Sequence, residues 1–205
     1  LPVSSTNNPD TIGTGTSSKR TSDGYVWKYL FTLSSVRSNL FLSANYLPVN
    51  KVVTATNTVE TTQLGIQNAA AAGSIVGYRL LNAGAGYSSS TALTIVGNGS
   101  GAQAVATIDS ATGSFLKVEM TDSTDDTQHI GSGYDYANVT IASGGSPTTT
   151  AIIKPIISNT GIGADPREDI NANYLMFNVK PDGAEGGDFL VNQDFRQVGV
   201  IKNPT

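Results

Sequence analysis

The chain is 205 residues long with a formal net charge of −4, only 14% charged residues, 22 glycines and no cysteine. That length suits one generous domain or two small ones, and low charge with abundant Gly, Ser, Thr and Asn suits short strands joined by many turns. Disulfides and thiolate metal sites are excluded, the charge leaves no footprint for nucleic acid or an anionic membrane, and no run approaches the ~18 apolar residues of a membrane-spanning helix.

Residues 1–20 are rich in Ser, Thr, Asn and Gly, with Pro2 and Pro9 as breakers. They predict an extended arm, too poor in apolar side chains to offset its own ordering entropy and ordered only where something outside holds it. Leu1 has neither a charged n-region nor an apolar h-region behind it, so the chain reads as beginning within a longer protein.

The next stretch is the most strongly patterned. Tyr25, Trp27, Tyr29 and Phe31 alternate with Val26, Lys28, Leu30 and Thr32, and Trp27 is the only tryptophan. Period two with aromatic and β-branched residues predicts a strand over Tyr25–Leu33, launched by the turn Ser22-Asp23-Gly24. Each ring can bury on the order of 150–250 Å². The expectation is a central core strand with Trp27 buried; an exposed sugar-stacking or partner-binding stripe is the alternative.

Ser34 can cap a short helix carrying Val36, Leu40, Phe41 and Ala44, which stops near Asn45 ahead of Pro48. Val49–Thr56 is β-rich. Thr58–Ala72 suits a helix closed by Gly73, although Gly65 weakens it by about 1 kcal/mol relative to Ala.

From Ser74 an internal repeat begins. The first copy holds Ile75–Leu81, Gly84-Ala-Gly86-Tyr87, Ala92–Val96 and Ala102–Ile108; the second holds Phe115–Met120, Gly131-Ser-Gly133-Tyr134, Asn138–Ile141 and Thr150–Lys154. Two copies fall short of the three or more that a solenoid needs. They predict two related β-hairpin units packed as a small sandwich or barrel-like module, with Asp122–Thr127 as a solvated insertion. Beyond it, Asp165-Pro166 predicts an N-cap with proline at the first helical position through Asp169. Tyr174–Val179 predicts a buried strand, Asp182–Asp188 an acidic loop and Phe195–Ile201 a final strand.

Signals for chemistry are weak. Any nucleophilic triad would need His129, which sits in a Gly-flanked turn beside the Asp-rich insertion and reads as a surface residue. Gly97-x-Gly99-x-x-Ala102 matches a dinucleotide loop in letters, but it opens a strand where that loop must open a helix. Tyr134 and Tyr136 could stack a sugar or pack around a turn. Asp122, Asp125 and Asp126, and likewise Asp182, Glu185 and Asp188, lack the spacing that gathers six to eight oxygens round a hard cation. Gly161-Ile-Gly-Ala-Asp165 is at most a fragment of a calcium repeat. No catalytic, cofactor-binding or metal residue is assigned.

Three separated segments resemble one family. They are Asp23–Phe31 with Tyr46-Leu-Pro-Val49, then Gly163-Ala-Asp-Pro166 with Tyr174–Val179, and finally Glu185–Phe189 with Asp194-Phe-Arg-Gln-Val-Gly-Val-Ile-Lys-Asn-Pro204. In order and wording they resemble the gene-eight-type baseplate wedge subunit of contractile-tailed, T-even-like bacteriophages, with the Gly-x-Gly-Tyr units as an inserted β-repeat module. The family's portion ahead of the Gly-Tyr-Val-Trp strand is largely missing, and its loop before Ala-Asp-Pro is reduced to Ser158–Gly161. The resemblance implies a virion structural protein of the tail baseplate, mainly β, dimeric, docked beside other wedge and tail proteins, and not an enzyme. It divides the chain into an arm (1–20), a β-sandwich-like wedge domain in two halves (21–73 and 159–205) and an inserted antiparallel module (74–158), with a few short helices. Tyr25, Trp27, Tyr29, Phe31, Phe177 and Val200 are the expected core.

Two rival functions remain. A carbohydrate- or receptor-binding tail or adhesin module needs exposed aromatics in a groove. A hydrolase needs paired carboxylates roughly 5–9.5 Å apart in a cleft.

Overall fold

The structure, a computed structural model, describes residues 17–124, 127–142, 144–179 and 197–203. It is mainly β, built from antiparallel strand pairs and three short helices. The described residues divide into two units, one drawn from Leu1–Leu30 with Leu64–Ala164 and the other from Phe31–Gln63 with Asp165–Thr205. The first therefore takes in the repeat and also the start of the aromatic stretch.

In the first unit, β1 (Lys19–Arg20) pairs with β2 (Val26–Trp27) in a minimal hairpin. The long central strand expected over Tyr25–Leu33 is not there. The ladder ends at Trp27 because its partner is only two residues long, and the backbone beyond leaves the sheet. Tyr25 is 37% exposed, while Trp27, Tyr29 and Phe31 are half-buried. Alternation alone thus misjudged burial: a strand buries a face only where a second layer covers it.

Helix α1 (Ser35–Phe41) in the second unit begins where Ser34 accepts a hydrogen bond from the Arg37 amide, and ends at Leu42. Val49–Thr56 forms no strand; Val52 is buried and Val53 faces solvent. Helix α2 (Thr58–Asn68) follows, its first turn fixed by Asn57 Oδ1 accepting from the Glu60 amide at 3.0 Å.

The repeat supplies ten strands. The first copy gives β3 (Ser74–Asn82), β4 (Ala85–Tyr87), β5 (Ala92–Gly97), β6 (Ser100–Ala102) and β7 (Ala104–Ile108). The second gives β8 (Phe115–Met120), β9 (Ile130–Ser132), β10 (Ala137–Ala142), β11 (Gly145–Thr149) and β12 (Ile152–Ser158). Every ladder joins one copy to the other, in palindromic order: β3–β12, β4–β11, β5–β10, β6–β9 and β7–β8. Separate hairpin units, expected from the sequence, are replaced by two interlocked copies. Their pairing order is palindromic about the facing pair Thr94 and Thr140, with Leu93 opposite Ile141 and Ile95 opposite Val139.

Because β10 lies beside β12, β3 beside β8 and β5 beside β7, three of these two-stranded sheets close into a ring. Alternate side chains point inward. Tyr87, Phe115, Ala151 and Ile153 are buried at the centre with Leu80, Leu93, Ile108, Val118, Val139 and Ile141 around them, and Tyr87 meets Phe115 edge to face at 4.9 Å.

The second unit also holds α3 (Pro166–Asp169), capped by Asp165, and the hairpin of β13 (Tyr174–Val179) with β14 (Gln197–Lys202). The expected strand at Tyr174–Val179 forms, but it is not buried. Phe177 is 42% exposed and Val200 36%, against the core role expected of both. Among the described residues no second sheet covers this two-stranded pair. The acidic loop Asp182–Asp188 lies outside the described residues.

Candidate functional site

The structure disperses the sequence candidates. His129 is half-buried, its Nδ1 within 3.0 Å of the Thr121 hydroxyl and 3.2 Å of the Thr121 carbonyl, and among the described residues no acidic side chain bonds to it. Gly97 and Gly99 lie where β5 turns into β6, a strand-to-strand junction with no helix to receive a phosphate. A Cβ at Gly99 would sit 2.5 Å from the Tyr134 ring, so packing explains that glycine. Tyr134 is buried, and Tyr136 stands 62% exposed at a turn held by Asn98, which donates to Asp135 at 2.8 Å. Among the described residues no group of acidic or histidine side chains is placed to hold a metal ion. Asp182, Glu185 and Asp188 lie outside those residues, as do Asp125 and Asp126.

Asp122 does different work from a solvated loop residue. Its Oδ2 accepts from Arg20 Nε at 2.6 Å and its Oδ1 from Gln128 Nε2 at 2.9 Å, while Arg20 also reaches Glu119 at 3.1 Å. Burial alone would lower the Arg20 pKa, but the bond to Asp122 and the two carboxylate charges outweigh it and hold the guanidinium above its ordinary value. The buried Gln128 donates its amide to the Ser18 carbonyl, and Lys19 bridges to Thr127. Glu119, Asp122, Thr127 and Gln128 therefore clasp Ser18–Arg20, and through β1 the hairpin that runs to Trp27. Part of the expected free arm, Ser18–Arg20, is held by the chain itself.

The glycines opening each copy form a second lock, which sequence reasoning missed. Gly73 and Gly113 both take positive φ, +65° and +66°. Each offers its carbonyl to the Gly-Tyr turn of the opposite copy: Tyr134 N–H donates to Gly73 at 3.0 Å and Tyr87 N–H to Gly113 at 2.9 Å. The signal was present in Gly73-Ser74-Ile75 and Gly113-Ser114-Phe115, which occupy equivalent positions.

In the second unit, a groove of about 1110 Å³ runs between the Asn45–Asn50 turn and the segment from α3 into β13. Tyr46 is presented by a tight turn in which the Ser43 hydroxyl accepts from the Asn45 and Tyr46 amides, and the Tyr46 carbonyl accepts from the Ser43 amide. Its ring meets Tyr174 edge to face at 5.8 Å. The floor is fixed by Asp165, a buried carboxylate gripped at both oxygens by Arg167, 2.9 Å from Nε and 2.7 Å from its second guanidinium nitrogen. Arg167 side-chain bonding, then its amide and the charges of Arg167 and Lys51, holds the Asp165 pKa below the ordinary carboxylate range against the opposing effect of burial. The groove offers aromatic surface, side-chain amides and balanced charge.

No known protein family, curated protein or solved structure matches the chain.

Proposed function

We propose that the protein is a structural wedge subunit of a contractile phage tail baseplate, which works by assembly with a copy of itself and with neighbouring wedge and tail proteins in the virion. One observation carries this reading. Two of the segments that bear the resemblance, Asn45–Val49 and Tyr174–Val179, lie far apart in sequence yet meet at the Tyr46–Tyr174 ring contact. The residues that share a family wording thus also share a local structure. The reading assigns no catalytic residue, no cofactor, and no nucleic-acid or membrane partner.

The β13–β14 hairpin supports it. Leu175, Phe177, Val179 and Ile201 share one face by register and are 42–52% exposed. Contiguous exposed apolar side chains on a soluble protein mark a contact surface, and each central hot spot in such a surface contributes 2 kcal/mol or more. Leu175→Asp and Phe177→Asp should weaken self-association and capture by purified baseplate proteins about thirty-fold or more, with the urea unfolding midpoint unchanged in Leu175→Asp, whereas Phe177 also packs across Gly199. Undiminished capture by both variants would contradict the assignment of this face.

A further inference from the structure

The groove of the second unit combines two chemistries. Tyr46 and Tyr174 are 38% and 44% exposed within it, and Asn45, Asn171 and Asn173 stand along the same walls. Its arginines already carry carboxylates, since Arg37 pairs with Glu60 at 3.5 Å and Arg167 with Asp165 at 2.7 Å.

We infer that this groove binds a neutral oligosaccharide. A pyranose ring presents apolar C–H faces and a rim of hydroxyls that both donate and accept. Tyrosine answers with an apolar ring and a polar tip, and asparagine with one acceptor and two donors on a single planar group. Each arginine of the groove is balanced by a carboxylate, so the site carries no excess positive charge to favour an anionic ligand. At about 1110 Å³ the groove has room for more than the single small molecule enclosed by pockets of roughly 300–1,000 Å³, which favours an oligosaccharide over a monosaccharide. The inference does not depend on the assembly reading: a virion subunit and a protein outside any virion would present the same groove.

The test is an array of immobilised gluco-, manno- and galacto-oligosaccharides of several units, their uronic-acid counterparts and a panel of extended peptides, probed with the intact chain and four variants. The expected result is retention on at least one neutral glycan, weakened ten-fold or more (1.4 kcal/mol) by Tyr174→Ala and by Asn45→Ala, and preserved in Tyr174→Phe. Tyr136→Ala, which alters an exposed tyrosine of the other unit, should leave binding unchanged. Asn45 is exposed, so its variant decides the matter even where Tyr174→Ala unfolds. Retention on peptides or uronic acids alone, no retention at all, or equal loss in Tyr136→Ala would overturn the inference.

Discussion

Gly73 and Gly113 show how far a single backbone position can decide this structure. A Cβ at Gly113 would lie 2.6 Å from the Tyr87 backbone nitrogen, and one at Gly73 2.5 Å from that of Tyr134. Alanine there faces both a left-handed backbone and a neighbour that cannot yield. Gly24 is the control, since its φ is +87° but nothing lies within 4 Å of an added Cβ. Gly24→Ala should cost only the backbone strain, about 1–3 kcal/mol, and Gly113→Ala clearly more; denaturant unfolding of the two variants makes the comparison. Equal losses would mean that the lock between copies gives way without cost. Asp165 supplies a pH signature on the same scale. Its folded pKa is depressed, so its contribution is present above the unfolded carboxylate value, ~3.9, and is lost as pH falls through the folded one. Asp165→Asn keeps an N-cap side chain but loses the charge pair, and should flatten the fall in stability below about pH 4.

At the scale of elements, the clasp formed by Glu119, Asp122 and Gln128 is the feature most open to test. Asp122→Ala should speed amide exchange of residues 18–27 while leaving Val139–Ile141 protected, because Asp122 lies outside the ladders of the ring. Uniform deprotection would show that the two are one cooperative piece. These elements also show what the sequence could and could not convey. The caps at Ser34 and Asp165 were legible because a cap is a local bond between neighbours. The repeat was legible as two copies, but not the pairing of each strand with the opposite copy, which is a long-range choice that period-two patterning leaves open. The aromatic run at Tyr25–Phe31 was misread for the same reason, since its pattern says which side chains share a face and not what covers that face. The groove was not legible at all: Tyr46 and Tyr174 look like ordinary strand and turn residues until the fold sets ring against ring.

For the whole molecule, the proposed role is contact. The ring turns its apolar side chains onto a shared core, whereas the β13–β14 hairpin leaves Leu175, Phe177, Val179 and Ile201 open to solvent. Obligate contacts between subunits bury roughly 2,000 Å² or more, enough to hold a pair together at nanomolar concentration when the contact is well packed. Sedimentation velocity of the protein across a dilution series, alone and with purified baseplate proteins, tests the assembly reading most directly. The account predicts a dimer that persists to nanomolar concentration and moves into a heavier species with its partners. A monomer at every concentration, unchanged in the mixture, would contradict it.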